Sequence, residues 1–214
     1  QEGIRDTALE GEIKKRRIPV KVLGRKKMDQ LLNGNHQGIA ACIDDYKTWE
    51  LEELLESVPQ GKQPLLVMLD GLEDPHNLGA ILRTCDCIRA DGVIIGKHRN
   101  VRLTPTVAKV STGAIDTVKV SVVTNLVQAI KYLKKQGYWV VGTDFENSRD
   151  YREGQYDVPL VLVIGSEGFG ISSLVKKNCD YCVRLPMEGS VSSLNASVAA
   201  GILLYQIHAQ RHPL

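Results

Sequence analysis

The chain has 214 residues, 43% of them apolar and 24% charged, and a formal net charge of +2, the balance of a soluble globular protein rather than a disordered or fibrous one. No apolar run reaches the about 20 residues of a membrane-spanning helix, and no secretory leader is visible, although the sequence opens on Gln1, which leaves a missing leader or earlier segment open. Five cysteines without such a leader point to reduced thiols and a cytoplasmic setting.

Taken in chain order, residues 1–58 read as part of a small α/β unit. "RIPVKVL" (17–23) alternates like a strand, "RKKMDQLLNG" (25–34) is a short helix stopped by Gly34, and "GIAACI" (38–43) is a buried strand. This is too little for a complete domain, so an earlier portion is expected to be absent. Charge is uneven: residues 1–38 carry nine Lys/Arg against five Asp/Glu, whereas residues 39–60 carry one Lys against six acids. "PQGKQP" (59–64), with Pro59, Gly61 and Pro64, is the expected linker.

Beyond it, residues 65–214 alternate strand and helix. "LLVMLD" (65–70), "DGVIIG" (91–96), "YWVVGTD" (138–144), "PLVLVIGSEG" (159–168) and "YCVRLP" (181–186) read as strands. "NLGAILRTCDCIRA" (77–90), "TNLVQAIKYLKKQG" (124–137) and residues 192–210 read as helices. Continuous apolar strands separated by helices predict an α/β fold with a parallel sheet covered on both faces. In such sheets ligands sit at the carboxyl ends of strands.

Three stretches carry more than a fold needs. In "LDGLEDPHNLGAILRTC" (69–85), Asn77 stands where a helix cap belongs. Leu78, Ile81, Leu82, Cys85 and Ile88 form the apolar stripe, and Arg83 falls about 140° around the helix from Leu78. It is either an ordinary surface charge or a guanidinium aimed at a phosphate or sugar. In "VIGSEGFG" (163–170), Gly165, Gly168 and Gly170 follow a strand as G-x-x-G-x-G, which is neither the dinucleotide fingerprint nor a P-loop. Glu167 in its middle disfavours phosphate, so the loop is either a plain turn or part of a site for an uncharged or cationic small molecule. In "SVSSLNAS" (190–197), Ser192 or Ser193 is the expected cap, with Asn195 in the first turn. Free N–H groups and small side chains there leave room for a ligand.

Two weaker signals remain. "GKHRNVRLTPTVAK" (96–109) holds Lys97, Arg99, Arg102 and Lys109 with no acid, which suits either a phosphate backbone or a solvated surface. Cys85, Cys87, Cys179 and Cys182 offer four sulfurs, but Cys85 belongs to a helix stripe, so ordinary thiols are expected rather than zinc.

In order, "LDGLEDPHNLGAILRT", "VIGSEGFGI" and "RLPMEGSVSSLNASVAAGILLY" resemble the three motifs of the SPOUT-class RNA ribose methyltransferases, the TrmH/SpoU family. "RKKMDQLLNGNHQGIAA" further resembles the RlmB branch, which methylates a guanosine ribose of bacterial 23S rRNA. The resemblance implies a parallel sheet closed by a C-terminal trefoil knot. Before it would come a partial RNA-binding domain, similar to a ribosomal protein. It implies a homodimer acting on RNA, with rRNA as the first reading and tRNA as the alternative, and S-adenosylmethionine as methyl donor without a metal. It implies Arg83 as the main catalytic residue, with Asn77, Glu167, Ser193 and Asn195 beside it. Thr143, Gly165, Gly168, Leu185, Met187, Leu194 and Asn195 would hold the cofactor. An arginine stays charged at neutral pH (pKa above ~12), so Arg83 is expected to polarise the hydroxyl and grip a phosphate rather than act as a simple base. A dehydrogenase would need a G-x-G-x-x-G after the first strand, and an RNA-binding protein without activity would not need Arg83 or the "SLN" triplet.

Overall fold

The computed structural model describes residues 7–32, 36–42 and 45–213, and it divides into two units, Gln1–Asp45 and Tyr46–Leu214. In the first unit, α1 (Thr7–Lys15) and α2 (Arg25–Leu31) are the regular elements among the described residues. Two sequence expectations fail here. Residues 17–23 do not enter a sheet: Val22 is 92% exposed, and Ile18 and Val20 are exposed too. Residues 38–42 are also exposed and irregular. An alternating pattern makes a strand only when a neighbour accepts its backbone bonds, and none does so among the described residues. α2 ends at Leu31, with Leu32 as its cap, short of the Gly34 stop, which lies outside the described residues along with Ile43.

The second unit begins earlier than residue 65. The acidic segment that precedes the expected linker packs onto the sheet. Leu54 of α3 (Leu51–Glu56) is fully buried, in a notch left by Gly92, where an added Cβ would stand 2.6 Å from its Cδ1. Trp49 bridges to Ser121, and its N–H donates to the Val120 carbonyl at 2.8 Å. Burying a leucine contributes about 2 kcal/mol, which ties residues 46–58 to this unit.

Seven parallel strands form the sheet: β1 (Leu65–Asp70), β2 (Gly92–Gly96), β3 (Val120–Val123), β4 (Trp139–Thr143), β5 (Arg149–Asp150), β6 (Leu160–Gly165) and β7 (Tyr181–Arg184). Their order is β3-β2-β1-β6-β4-β7-β5. β1, β2 and β6 are buried along almost their whole length, as expected for strands covered on both faces. Alternate residues feed two cores: Leu65, Val67 and Leu69 face one, Leu66 and Met68 the other. The first core is roofed by α4 (Pro75–Cys87), α5 (Pro105–Ser111), α6 (Ala114–Thr117) and α9 (Ala196–Arg211); the second by α3, α7 (Leu126–Lys135) and α8 (Ser173–Asn178). Gly79 lets α4 and α5 touch, since a Cβ there would lie 2.6 Å from Val110.

Two helix starts differ from expectation. Asp74, not Asn77, caps α4, accepting from the His76 N–H at 2.9 Å, with Pro75 in the first turn. Asn195, not Ser192 or Ser193, caps α9. At its other end α9 is locked by Arg211, whose guanidinium donates to the carbonyls of Tyr156 (2.8 Å), Gln63 (2.8 Å), Pro64 (3.4 Å) and Val158 (2.6 Å).

Candidate active site

β4, β6 and β7 all deliver their loops to one edge of the sheet, as the parallel arrangement requires. Between those loops and the start of α9 lies a cavity of about 340 Å³. Six expected cofactor residues line it: Thr143, Gly165, Gly168, Leu185, Met187 and Leu194. Ser193 lines it as well. Sequence reading did not name Asp144, Phe145, Arg184, Ala196 and Ala199 for the site, and they line the cavity too. The rule that strand ends bind ligands would have found the first three; the two alanines carry no signal of their own.

The β6 loop is a tight hairpin. Ser166 N–H donates to the Gly170 carbonyl at 3.1 Å, and Gly170 N–H returns a bond to Ser166 at 2.9 Å. The chain folds back so closely that a Cβ on Gly165 would stand 2.0 Å from the Gly170 carbonyl carbon. Gly170 itself has φ +64°, the left-handed region. Asp70, at the end of β1, accepts from the Ser172 N–H at 2.6 Å and anchors the return limb.

Beside the cavity, the three distant motifs meet through three side chains. Asn77 Nδ2 donates to Glu167 Oε1 at 2.9 Å. Asn195 Nδ2 donates to Asn77 Oδ1 at 2.9 Å and to Glu167 Oε1 at 2.5 Å. The Ala196 N–H adds a bond to the same carboxylate oxygen at 3.2 Å. Glu167 thus sits at the positive end of α9, where an anion is stabilised. Asn195 Oδ1 meanwhile accepts from the Ser197 and Val198 N–H groups at 3.0 and 3.2 Å. One side chain both caps the last helix and joins the other two motifs. Asn195 itself is not among the residues that line the cavity; its amide is bonded to Asn77 and Glu167.

Asn195→Ala removes a cap of about 1 kcal/mol and strips Glu167 of a donor. We expect a melting temperature lower by several degrees, read by circular dichroism, together with weakened activity. Asn195→Asp should keep the cap but set a second carboxylate against Glu167, so neither stability nor activity should return to the wild-type level.

Arg83 lies outside the cavity wall. It is exposed on α4, two i+3 steps beyond Asn77, or about 9 Å along the axis. Lys97, Arg99, Arg102 and Lys109 are exposed. Their loop is fastened to the first motif, for the Val101 N–H donates to the Leu72 carbonyl at 2.7 Å and the Leu72 N–H to Asn100 Oδ1 at 3.0 Å.

Residues 64–205 match the model of the SpoU rRNA Methylase family. The chain belongs to the SpoU methylase family. Residues 1–49 match a second model, described as RNA 2′-O ribose methyltransferase substrate binding. The TrmH-family protein YacO of Bacillus subtilis (strain 168) is 48% identical over 202 residues, covering 94% of this chain and 81% of its own. Among solved structures, the SpoU methyltransferase AviRb of Streptomyces viridochromogenes in complex with AdoMet superposes with a TM-score of 0.69 at 31% identity, over 74% of this chain and 62% of AviRb. The A. aeolicus TrmH/SpoU tRNA modifying enzyme gives 0.65 at 32% identity, over 75% and 82%. The sheet and its neighbours are therefore those of the SPOUT class.

In this SpoU methylase the cysteines stay apart. Cys85 is fully buried in one core, where burial and Asp86 push its thiol up to about 12. Cys182 lies in the core on the opposite face of the sheet, with Cys179 packed against it. Those two share a hydrogen bond that holds Cys182 below, and Cys179 above, the ordinary thiol range. Their separation from Cys85 rules out the four-sulfur cluster.

Proposed function

We propose that this chain transfers a methyl group from S-adenosylmethionine to a ribose 2′-hydroxyl of RNA, a guanosine of bacterial 23S rRNA in the first instance. The observation that carries this is the joining of Asn77, Glu167 and Asn195 beside a cavity built from three strand-end loops.

The residues fit the donor. The cavity is at the small-ligand end of the usual range of about 300–1,000 Å³. Its glycine-rich wall offers backbone groups to a purine, and Asp144 and Glu167 suit a cationic tail better than a pyrophosphate. AviRb and a Sinorhizobium meliloti rRNA methyltransferase, 29% identical with a TM-score of 0.70, were both solved with AdoMet. When bound, the sulfonium supplies a methyl group on a good leaving group. The chain must then align the hydroxyl and help remove its proton. Glu167, held by Asn77, Asn195 and the Ala196 N–H, fixes the hairpin against the last helix and shapes the rim. Ser193, on the cavity wall, serves the ribose side. Arg83 is exposed on α4 and absent from the cavity wall, so it would act from the rim. There it polarises the hydroxyl and grips the neighbouring phosphate.

The same reading extends the fold to a trefoil knot, with residues 185–195 threaded beside the 166–170 hairpin; the cavity wall that both segments line supports it. It takes the enzyme as a cytoplasmic homodimer. Val198, Ile202 and Tyr205 form an exposed stripe on α9 just beyond Asn195, an apolar face suited to a second copy. Among the described residues no helix is long and apolar enough to cross a membrane. Lys97, Arg99, Arg102 and Lys109 would meet RNA phosphates, with residues 1–45 as a substrate-binding module. The reading of rRNA rests on the family description and the S. meliloti relative; tRNA is favoured instead by the A. aeolicus relative.

The test is calorimetric titration with S-adenosylmethionine, followed by tritiated-methyl transfer to separated rRNA and tRNA from cells lacking the gene. Binding and label in 23S rRNA at a ribose are expected. Label in tRNA alone would move the substrate, and no label in either RNA would defeat the enzymatic reading.

A further inference from the structure

The chain has two phenylalanines, and neither is in a core. The aromatic residues of the two cores are tyrosines, Tyr156 in one and Tyr138 in the other, while Phe145 and Phe169 stand in the loops after β4 and β6, at the rim of the cavity. Phe145, 55% exposed, is part of the cavity wall. Phe169 is 96% exposed and is not, although its neighbours Gly168 and Gly170 both are. Its ring is therefore presented outward from the loop that holds the cofactor wall, one residue from Gly170 and two from Glu167. The loop is not slack: the reciprocal Ser166–Gly170 bonds pin both ends of the hairpin. An exposed phenylalanine on a fixed turn forgoes the burial energy of a large apolar side chain, which a ligand arriving at that face would restore.

Resting on the activity proposed above, we infer that Phe169 is a stacking platform for a nucleobase of the RNA beside the ribose that is methylated. An aromatic face accepts any base, so it would hold the strand in place while leaving sequence choice to other contacts. Phe169 is thus a positioning residue, acting on the substrate's base and not on the reacting atoms.

The test uses the full chain and a fluorescein-labelled short single-stranded RNA, with Kd read by anisotropy for wild type and for Phe169→Ala, Phe169→Leu and Phe169→Trp. Stacking predicts a roughly tenfold weaker Kd for the alanine variant, a similar loss for leucine, and binding at least as tight as wild type for tryptophan. Affinity for S-adenosylmethionine and the molecular mass by light scattering should be unchanged in all four. The inference is overturned if leucine binds like phenylalanine, if alanine binds like wild type, if wild type does not bind the RNA, or if alanine alters the mass, which would place Phe169 in a subunit contact. Because binding is read without methyl transfer, a wild type that binds but transfers nothing defeats the enzymatic reading without touching this result.

Discussion

Gly165→Ala is expected to abolish measurable binding of S-adenosylmethionine while the sheet persists. The added Cβ would meet Gly170 C at 2.0 Å, Gly170 O at 2.3 Å and Ile171 N at 2.3 Å. These are backbone atoms, so no rotamer change relieves them. Gly165 is the last residue of β6, paired with Asp70 of β1. β1 holds it on one side, and β4 holds the strand as far as Val163 on the other, so the hairpin must move instead. Opening it breaks the two Ser166–Gly170 bonds and shifts Ser166, Glu167, Gly168 and Gly170, all on the cavity wall. Overpacking of this kind costs about 1–3 kcal/mol, or a fall of roughly 2–12 °C in melting temperature for a domain of this size. Calorimetry should show a Kd weakened beyond about a hundredfold, equivalent to about 2.8 kcal/mol, with far-ultraviolet dichroism unchanged. Wild-type affinity in the variant would show that the hairpin can yield without disturbing the cavity.

Arg83→Ala should do the converse, sparing the cofactor and suppressing the reaction. Arg83 is exposed on α4 and absent from the cavity wall, so calorimetry should return a wild-type Kd for S-adenosylmethionine. Losing a positioned cationic donor at a developing oxyanion costs about 10²–10³ in kcat. Arg83→Lys should restore only part of this, since an ammonium keeps the charge but lacks the planar fork that grips a phosphate. Tritiated-methyl transfer at saturating RNA gives kcat directly; near-normal turnover in the alanine variant would remove Arg83 from the chemistry. The two variants together separate the cavity from the rim.

Much of the sheet is legible from apolar runs alone, because strands buried on both faces have no polar residues to interrupt them. β3 escapes this rule. Its pattern is mixed, with Ser121 buried and Val122 exposed, since it lies at the edge of the sheet. At residues 17–23 the failure runs the other way: alternation is present, but pairing depends on a neighbour that local sequence does not specify. Both helix caps were misplaced because several residues of capping type stand close together. Asp74 outcompetes Asn77 through its bond to the His76 N–H, and Asn195 displaces the serines by reaching Ser197 and Val198. Those two asparagines were nevertheless singled out by their motifs. Their purpose was not visible, because Asn77 and Glu167 are 90 residues apart and Glu167 and Asn195 are 28 apart. No periodicity encodes a contact of that separation; only the sheet order brings it about.

The final helix couples two distant parts of this unit. Its first residues line the cavity, and Arg211, in its last turn, fastens it to the segment leading into β1 and to the turn before β6. A substitution that frees Arg211 would therefore loosen the entry to the first strand and, through one continuous helix, the wall of the cavity at its far end.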